Sequence, residues 1–408
     1  METTSTKSAE FIQLEEAFGA HNYHPLEVVI HRAQGVWVWD VDGNRYLDFL
    51  AAYSAVNQGH AHPRLRQALV EQAERVTLTS RAFRNDQLGP LYKRMHDLSG
   101  YQRMLPMNSG AEAVETAIKA ARKWGYKVKG VPAGQAEILV FRGNFHGRTT
   151  TIVGFSDEPQ YQDGFGPFTP GFTLLPYGDL EAIRKAMNPN VVAVLVEPIQ
   201  GESGIVLPKA GYLQGIAKLC REHRALFVCD EIQSGLGRTG KLFAFQHEGV
   251  RPDVVIVGKA LGGGFYPISG ILADDEVMGV FKPGDHGSTF GGNPLACAVA
   301  NVALQILVDE RLSENSAELG AYFLEKLRTL HRPEIKEVRG KGLWIGLELN
   351  KVAGGARRYC EALQKKGLLC KETHVDTIRF APPLCIERGE LDWAFDRLVE
   401  VFDELGRS

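Results

Sequence analysis

Two charged residues, Lys259 and Asp230, each follow a short apolar segment in the middle of the chain, where an amine and a carboxylate could act on one ligand. Lys259 comes two residues after the segment 253–257, and Asp230 directly follows Leu226–Cys229. Open α/β sheets bind ligands in the crevice at the carboxyl ends of their strands. Partial desolvation in such a crevice lowers the pKa of an amine and makes it nucleophilic. The alternatives are a solvated strand-end lysine and an aspartate that caps the following turn.

A third element could hold a phosphate near these two residues. The segment Ser109–Glu112 has a capping-box pattern that opens a helix to Trp124. Unpaired N–H groups at a helix start, with glycine for close approach, form a phosphate site, although a well-capped helix alone has the same pattern. Gly291 and Gly292, which come after Ser288-Thr289, could give a second phosphate contact. Phe145 could stack on a flat ligand, or it could be an ordinary core aromatic.

A lysine, a carboxylate and a phosphate site are together what a pyridoxal phosphate enzyme requires. In such enzymes the amine forms a Schiff base with the cofactor, and the acid keeps the pyridine nitrogen protonated so that the ring acts as an electron sink. The three glycines that follow Lys259-Ala-Leu leave room for a flat ligand. The sequence therefore predicts a pyridoxal phosphate site built from Lys259, Asp230 and the helix start at Ser109.

Alternating strands and helices must position these residues. Four short apolar segments are predicted as strands, namely Glu137–Phe141, Val192–Val196, Leu226–Cys229 and Val254–Val257. Such strands, alternating with helices, indicate a parallel sheet that is covered on both sides. The predicted fold class is α/β, with a mainly parallel sheet in a large domain over residues 55–300. A smaller α+β domain is predicted from both chain ends, residues 1–54 and 301–408.

Composition limits the class of protein. The 408 residues include 46 Lys and Arg against 49 Asp and Glu, a net charge of −3, which argues against nucleic acid or an anionic membrane as the main partner. No apolar run approaches the roughly 18 residues of a membrane helix, and residues 1–20 lack the composition of a leader. The six cysteines show no CxxC spacing, so we expect reduced thiols rather than disulfides or a zinc site. No metal is predicted, and the expected location is the cytoplasm.

Two other patterns have weaker functional interpretations. The GxGxxG motif of dinucleotide sites is matched by Gly235-Leu-Gly-Arg-Thr-Gly240, but this segment neither follows a strand directly nor opens a clear helix. The same segment is not a P-loop, because Leu242 stands where a P-loop has Ser or Thr. We expect an ordinary glycine-rich loop, and a nucleotide-binding enzyme is the weakest alternative. His60 and His62 could be metal ligands, but no matching third ligand motif accompanies them.

Longer motifs, in the same order over nearly the whole chain, resemble those of class III aminotransferases. These motifs are Asn108-Ser-Gly-Ala-Glu-Ala, Asn144-Phe-His-Gly-Arg-Thr, Glu197-Pro-Ile-Gln-Gly-Glu, Asp230-Glu-Ile-Gln, Gly258-Lys-Ala-Leu-Gly-Gly-Gly and His286-Gly-Ser-Thr-Phe-Gly-Gly-Asn-Pro. The resemblance implies fold type I of the pyridoxal phosphate-dependent transferases and a homodimer with active sites at the subunit interface. Further stretches are similar to class members that act on ornithine: Asn22-Tyr-His-Pro-Leu, Tyr53-Ser-Ala-Val-Asn-Gln-Gly-His, Leu78-Thr-Ser-Arg-Ala-Phe and Arg379-Phe-Ala-Pro-Pro-Leu.

The resemblance implies a role for each matching residue of the cofactor site. Lys259 resembles the Schiff-base lysine that also carries the proton, and Asp230 resembles the partner of the pyridine nitrogen. Gln233 resembles the residue that faces the ring hydroxyl, and Phe145 resembles the stacking ring. The phosphate would be held by Ser109, Gly110, Ala111, Ser288 and, from the other subunit, Thr289.

The resemblance also implies the substrates, with the δ-amino group of L-ornithine passing to 2-oxoglutarate. Tyr23 and Arg148 resemble the residues that bind the α-carboxylate of ornithine, and Tyr53 would pack along the substrate. Arg379 resembles the arginine that binds the α-carboxylate of 2-oxoglutarate, with Glu202 as its partner within the chain. The alternatives within the class are acetylornithine or 4-aminobutyrate as amino donor. A different class of protein, a cofactor-free and catalytically silent scaffold, is a further alternative.

Overall fold

The computed structural model describes residues 7–406, which form three β-sheets and the helices that cover them. The strands are β1 (Ile30–Gln34), β2 (Trp37–Asp40), β3 (Arg45–Asp48), β4 (Arg103–Met107), β5 (Glu137–Phe141), β6 (Phe172–Leu175), β7 (Val191–Val196), β8 (Leu226–Asp230), β9 (Val254–Val257), β10 (Ser269–Ala273), β11 (Ile335–Gly340), β12 (Ile345–Leu349), β13 (Leu368–Leu369), β14 (Lys371–Thr373) and β15 (Thr377–Phe380). The α-helices are α1 (Lys7–Phe18), α2 (Ala51–Ser54), α3 (Pro63–Ala73), α4 (Leu88–Ser99), α5 (Gly110–Trp124), α6 (Thr150–Val153), α7 (Pro159–Gln162), α8 (Leu180–Ala186), α9 (Tyr212–His223), α10 (Asp275–Met278), α11 (Pro294–Asp309), α12 (Leu312–Arg328), α13 (Arg357–Lys365) and α14 (Arg388–Leu405). A π-helical turn extends α5 over Gly125–Lys129, and 3₁₀ turns span Ala244–Glu248, Lys259–Gly262 and Lys351–Ala353.

A seven-stranded sheet forms the centre of the molecule, in the order β4-β10-β9-β8-β7-β5-β6. The strands are parallel except for β10, which runs antiparallel to both β4 and β9. Strands β7 and β9 are buried along their whole length, because α5 packs in the apolar layer on one face and α9 in the layer on the other. The predicted α/β class with a mainly parallel sheet is confirmed.

The strands and the helix that were predicted to position the site are present. Strands β5 and β9 have the predicted bounds, β7 begins one residue earlier at Val191, and β8 includes Asp230 as its last residue. Helix α5 begins after the capping box, in which Glu112 N donates to Ser109 Oγ at 3.2 Å and Ser109 N donates to Glu112 Oε2 at 2.7 Å. These two bonds fix where the helix starts.

Two four-stranded sheets flank the central one. The first has the order β1-β2-β3-β13, and its parallel β3–β13 pair places Leu47 opposite Leu368, so that the two ends of the chain share one sheet. The second has the order β11-β12-β15-β14, and β15 carries Arg379. The domain bounds at 54/55 and 300/301 stay predictions.

The glycine-rich loop 235–240 folds as a series of turns packed against the C-terminal helices. A Cβ atom built on Gly237 would lie 2.8 Å from Leu307, and one on Gly240 would lie 2.8 Å from Ala317. Arg238, fully buried, donates to the carbonyl oxygens of Leu343 and Pro382. The loop is therefore a packed connection between parts of the chain and leaves no space for a nucleotide.

The remaining sequence features have structural roles within residues 7–406. His60 pairs with Asp48 at 2.7 Å, and the His62 ring accepts a hydrogen bond from Arg64 N at the start of α3. No group of three or more potential metal ligands was found in this part of the chain. Its six cysteines are free thiols, and five of them are buried. None of its helices is long and apolar enough to cross a membrane.

Candidate active site

The carboxyl ends of neighbouring strands enclose a cavity of about 210 Å³. Strand β8 ends at Asp230, and the chain after β9 delivers Lys259 to the same edge of the sheet. The start of α5 and the loop after β5 close the cavity. Six of its lining residues were predicted for the cofactor site, namely Gly110, Ala111, Phe145, Asp230, Gln233 and Lys259.

Lys259 reaches this cavity from a strained position in the backbone. Its φ angle is +44°, in the left-handed region that residues with a Cβ rarely adopt. Burial lowers the pKa of its amine to about 8, because the charged form is poorly solvated there. Within residues 7–406 its Nζ makes no hydrogen bond or ion pair, and the ring centroid of Tyr53 lies 5.9 Å away. A buried amine with no partner is available to react with a ligand in the cavity.

Asp230 is held by two donors and faces the same cavity. Ile232 N donates to Oδ1 at 3.0 Å, and His146 Nδ1 donates to Oδ2 at 2.7 Å. Burial opposes the charged form of His146, but its hydrogen bond to Asp230 outweighs this and raises the pKa of the imidazole. The protonated form of His146, which this hydrogen bond favours, places a compensating positive charge beside the buried Asp230 carboxylate.

Sequence reasoning assigned no role to two ionisable residues of this cavity, His146 and Glu197. His146 lies within a motif that was recognised only for its neighbours Phe145 and Arg148. Glu197 directly follows β7, and burial raises the pKa of its carboxyl to about 8 while its Oε2 accepts from Phe145 N at 3.1 Å. The strand-end argument used for Asp230 applies equally to Glu197 and could have found it.

The start of α5 offers two backbone donors to an anion. Glu112 N is used by the capping box, whereas the N–H groups of Gly110 and Ala111 have no acceptor among the described residues. Ser269 Oγ donates to Ser109 O at 2.6 Å and fixes this helix start against β10. Ser288 lies beside the helix start, where its Oγ accepts from Asn108 Nδ2 at 3.0 Å. Free N–H groups at a fixed helix N-terminus suit a phosphate.

On the substrate side, Arg379 is buried and paired with Glu202, whose Oε1 lies 2.7 Å from its Nη1. The Glu202 backbone is held from β14, because Thr373 Oγ1 donates to Glu202 O. Nearby, Arg339 Nη2 donates to Gly204 O at 2.8 Å. The main chain of this loop is thus fixed from two sides, and the Glu202 side chain is held by its pairing with Arg379.

Tyr53 lies between the two cationic groups, with its ring centroid 4.9 Å from the Arg379 guanidinium. It belongs to α2, whose four residues Ala51–Ser54 all have positive φ angles between 46° and 70° and therefore form a left-handed turn. Such a turn costs about 1–2 kcal/mol per residue. Asp48 Oδ1 stabilises it by accepting from Leu50 N and Ala51 N at 2.8 and 2.9 Å.

Three predicted site residues lie at the exposed rim rather than in the cavity. Tyr23 is 78% exposed, although it is close enough to Tyr53 to contribute to the raised pKa of that largely buried phenol. Arg148 is exposed, and its guanidinium lies over the ring of Tyr161. Thr289 is also exposed, and it does not line the cavity in the single chain.

Comparison with known proteins identifies the family. The model of the family "Aminotransferase class-III" matches residues 18–402. The chain is a class III aminotransferase. This aminotransferase is 59% identical to the ornithine aminotransferase of Brevibacillus brevis over 396 residues, which cover 97% of the present chain and 98% of that protein.

Solved structures agree with this family. The ornithine aminotransferase of Toxoplasma gondii, which has pyridoxal phosphate at its active site, superposes with a TM-score of 0.97 at 46% identity, over 98% of this aminotransferase and 95% of that chain. The acetylornithine aminotransferase of Elizabethkingia anophelis superposes with a TM-score of 0.89 at 47% identity, over 98% and 100% of the two chains.

Class III aminotransferases use pyridoxal phosphate, and the cavity of this aminotransferase fits that group. The partly buried amine of Lys259, the buried carboxylate of Asp230 and the two free N–H groups converge on a space that the Phe145 ring helps to line. Each of these features matches one part of the cofactor: the aldehyde, the pyridine nitrogen, the phosphate and the flat ring.

Proposed function

We propose that this aminotransferase transfers the δ-amino group of L-ornithine to 2-oxoglutarate. The products are L-glutamate and glutamate 5-semialdehyde, which cyclises to pyrroline-5-carboxylate. The observation that carries the proposal is the pair of arginines in the site, of which Arg379 is neutralised by Glu202 and Arg148 has no carboxylate partner among the described residues. The 59% identity to an ornithine aminotransferase supports the same substrate.

When bound, pyridoxal phosphate supplies an aldehyde that accepts the amino group and a ring that withdraws electrons from the reacting carbon. Lys259 would supply the amine that faces the cofactor's aldehyde, and its amine would carry a proton at the reacting carbon of the substrate. Asp230, supported by His146, stabilises a proton on the ring nitrogen. The N–H groups of Gly110 and Ala111 bind the phosphate. Gln233 is proposed to contact the ring hydroxyl.

The two arginines explain how one site can accept both the δ-amine of ornithine and the α-amine of glutamate. Ornithine must present its δ-amine, which has no neighbouring carboxylate, whereas glutamate presents an α-amine beside one. While Glu202 pairs with Arg379, Arg148 is the one of these two arginines that is left for ornithine's α-carboxylate, with Tyr23 assisting. When Glu202 turns away, Arg379 can bind an α-carboxylate, and Arg148 can bind the distal one of a dicarboxylic acid.

A second candidate donor is acetylornithine, because the Elizabethkingia acetylornithine aminotransferase is as similar in sequence as the Toxoplasma ornithine aminotransferase. Acetylornithine and ornithine differ only at the α-amine, which the acetyl group makes larger and uncharged. The segment around Tyr23 and Tyr53 supports ornithine, since its motifs resemble those of ornithine-specific members. A donor comparison separates the two candidates.

We also propose that the active enzyme is a homodimer with shared sites. Thr289 and its neighbour Phe290, which is 47% exposed, lie on the surface of the single chain beside Ser288. Helix α1 has no buried residue and exposes Phe11, Leu14 and Phe18. Exposed apolar groups of this size favour a protein–protein interface, and Thr289 from the partner would complete the phosphate site.

The proposed reaction is tested by a screen of amino donors against oxo-acid acceptors, with detection of the cyclised semialdehyde. We expect ornithine with 2-oxoglutarate to give the highest kcat/KM, and acetylornithine and 4-aminobutyrate to react more slowly. A higher kcat/KM for acetylornithine would replace the proposal by the second candidate. A purified protein that neither binds pyridoxal phosphate nor changes its absorbance with ornithine would support a catalytically silent scaffold instead.

A further inference from the structure

The two arginines of the site are held in chemically different ways. Arg379 is buried and its guanidinium is paired with the Glu202 carboxylate. Arg148 has no aspartate or glutamate within salt-bridge distance in the part of the chain that the structure describes. Its guanidinium carbon lies 4.0 Å from the ring centroid of Tyr161 and 5.7 Å from that of Phe145. Aromatic side chains, rather than carboxylates, therefore hold Arg148, which also lies close enough to the Tyr161 hydroxyl to counteract the burial that raises the pKa of that phenol.

This difference matters because an aromatic ring and a carboxylate use different parts of a guanidinium. A ring contacts the flat face of the group, whereas a carboxylate takes the N–H donors in its plane. An arginine packed on a ring consequently keeps its in-plane donors for an incoming carboxylate. An arginine paired with glutamate must break that pair first. An exposed arginine without either contact would lose side-chain entropy on binding substrate.

The ring of Tyr161 is itself fixed by its own segment. Tyr161 lies in α7, and its neighbour Gln162 ties that turn to the chain before it by donating from Nε2 to Val153 O at 3.1 Å and to Ser156 O at 2.7 Å. The Tyr161 ring also meets the Phe145 ring edge to face, with 6.3 Å between centroids. Tyr161 thus connects the arginine at the rim with the aromatic ring that lines the cavity.

We propose that Tyr161 is a positioning residue that holds Arg148 with its in-plane donors free, and so determines the preference for amino donors that carry a distal carboxylate. The proposal deepens the proposed function and rests on it. Tyr161 does not touch the reacting atoms. Its contribution is confined to recognition of the carboxylate that Arg148 binds.

The experiment compares ornithine with 1,4-diaminobutane, which is ornithine without its carboxylate, in single turnovers of the holoenzyme followed by cofactor absorbance. Tyr161→Leu should lower kcat/KM for ornithine about tenfold, mainly through KM, as expected for loss of one cation–π contact. The same variant should leave kcat/KM for 1,4-diaminobutane within about twofold of the wild type, since Arg148 has no carboxylate to bind there. Tyr161→Phe keeps the ring and should lose at most about threefold with ornithine.

Two controls distinguish positioning from general disturbance. Gln160→Leu changes an exposed residue of the same turn and should alter neither donor. In an Arg148→Gln background, Tyr161→Leu should cause no further loss with ornithine, because the group that it positions is already gone.

Several results would overturn the proposal. Equal losses for the two donors, additive effects of Tyr161→Leu and Arg148→Gln, or a Tyr161→Phe variant as impaired as Tyr161→Leu would each show that Tyr161 does not act through the face of Arg148. If the wild type prefers another carboxylate-bearing amine, the proposed donor is wrong. The same comparison, made with that amine and its decarboxylated analogue, then still tests Tyr161.

Discussion

The cofactor side and the substrate rim of this active site are built differently. On the cofactor side, Asp230 and Glu197 are buried at strand ends of the central sheet, and His146 is buried in the loop that follows β5. On the rim, Tyr23 and Arg148 are exposed and come from segments outside that sheet. The groups proposed for the chemistry are thus mostly buried, whereas Tyr23 and Arg148, which are proposed for recognition, are exposed. Variants on the two sides should therefore fail in different ways.

The largest effect is expected on the cofactor side. Lys259→Ala should bind pyridoxal phosphate without a covalent link and lose roughly 10⁴-fold or more in turnover, because both the amine and the proton carrier disappear. Turnover and cofactor content are measured on the same preparation. Lys218→Ala, at an exposed position of α9, should remain fully active. Normal turnover by Lys259→Ala would remove it from the proposed role.

Asp230→Asn should keep its fold and lose roughly 10²–10³-fold in kcat, which is the usual cost of removing one preorganised electrostatic contact. The amide side chain has the same shape, but it no longer stabilises a proton on the ring nitrogen. The Tm of thermal unfolding should therefore change little, whereas the single-turnover rate should fall. A variant with near wild-type rates would exclude Asp230 as the partner of that nitrogen.

The cofactor side should also limit the stability of the cofactor-free protein. Below pH 8 Lys259 is protonated in both folded and unfolded states, and the folded state carries the full cost of a buried ammonium. Lys259→Met should therefore stabilise the cofactor-free protein by roughly 3 kcal/mol at pH 7. Between pH 8 and 10.5 the folded wild type releases its proton first, so its stability rises and the advantage of the variant shrinks.

Urea unfolding of the cofactor-free proteins at pH 7 and pH 10 measures this difference. Lys218→Met removes an exposed amine and should show no such pH dependence. An advantage of Lys259→Met that stays the same at both pH values would contradict a lowered pKa.

A smaller effect is expected between the two sides, at Glu202. Glu202→Ala leaves Arg379 permanently free for an α-carboxylate, so the rate with glutamate relative to ornithine should rise about tenfold. The ratio is obtained from single turnovers with each amino donor, and Glu202→Gln, which keeps the size of the side chain without its charge, should shift it in the same direction. If the ratio stays at its wild-type value, the choice of amine rests on Tyr23, Tyr53 and Arg148.

The smallest effect is expected at the rim. Thr289→Ala should weaken phosphate binding several-fold, the cost of one hydrogen bond to an anion, and the lesion should fall in the partner's site. Mixing this chain with Lys259→Ala chains gives heterodimers in which one site carries both changes and the other neither. Activity should rise above that of either parent when subunits exchange. If the Thr289→Ala homodimer is impaired and the activity of the mixture does not rise, the two subunits do not share their active sites.

The same contrast explains what the sequence could predict. Strand-end residues such as Asp230 and Lys259 could be predicted because the ends of apolar strands are visible in the sequence. The start of α5 could be predicted from its capping box. His146 was missed because a histidine inside a loop motif gives no indication of which carboxylate it meets. The left-handed turn at Tyr53 was also inaccessible, since Ala51–Ser54 contains no glycine and is stabilised by Asp48. Tyr161 reaches Arg148 only through tertiary packing.

The parallel pairing of β3 with β13 has a consequence for synthesis of the chain. Leu47 is synthesised more than three hundred residues before its partner Leu368. The sheet β1-β2-β3-β13 therefore lacks β13 for most of the time that the chain is being translated. The crevice that holds Asp230 and Lys259 lies on strands made much earlier. The chain can therefore assemble its central sheet first, and β15, which carries Arg379, joins the structure late in folding.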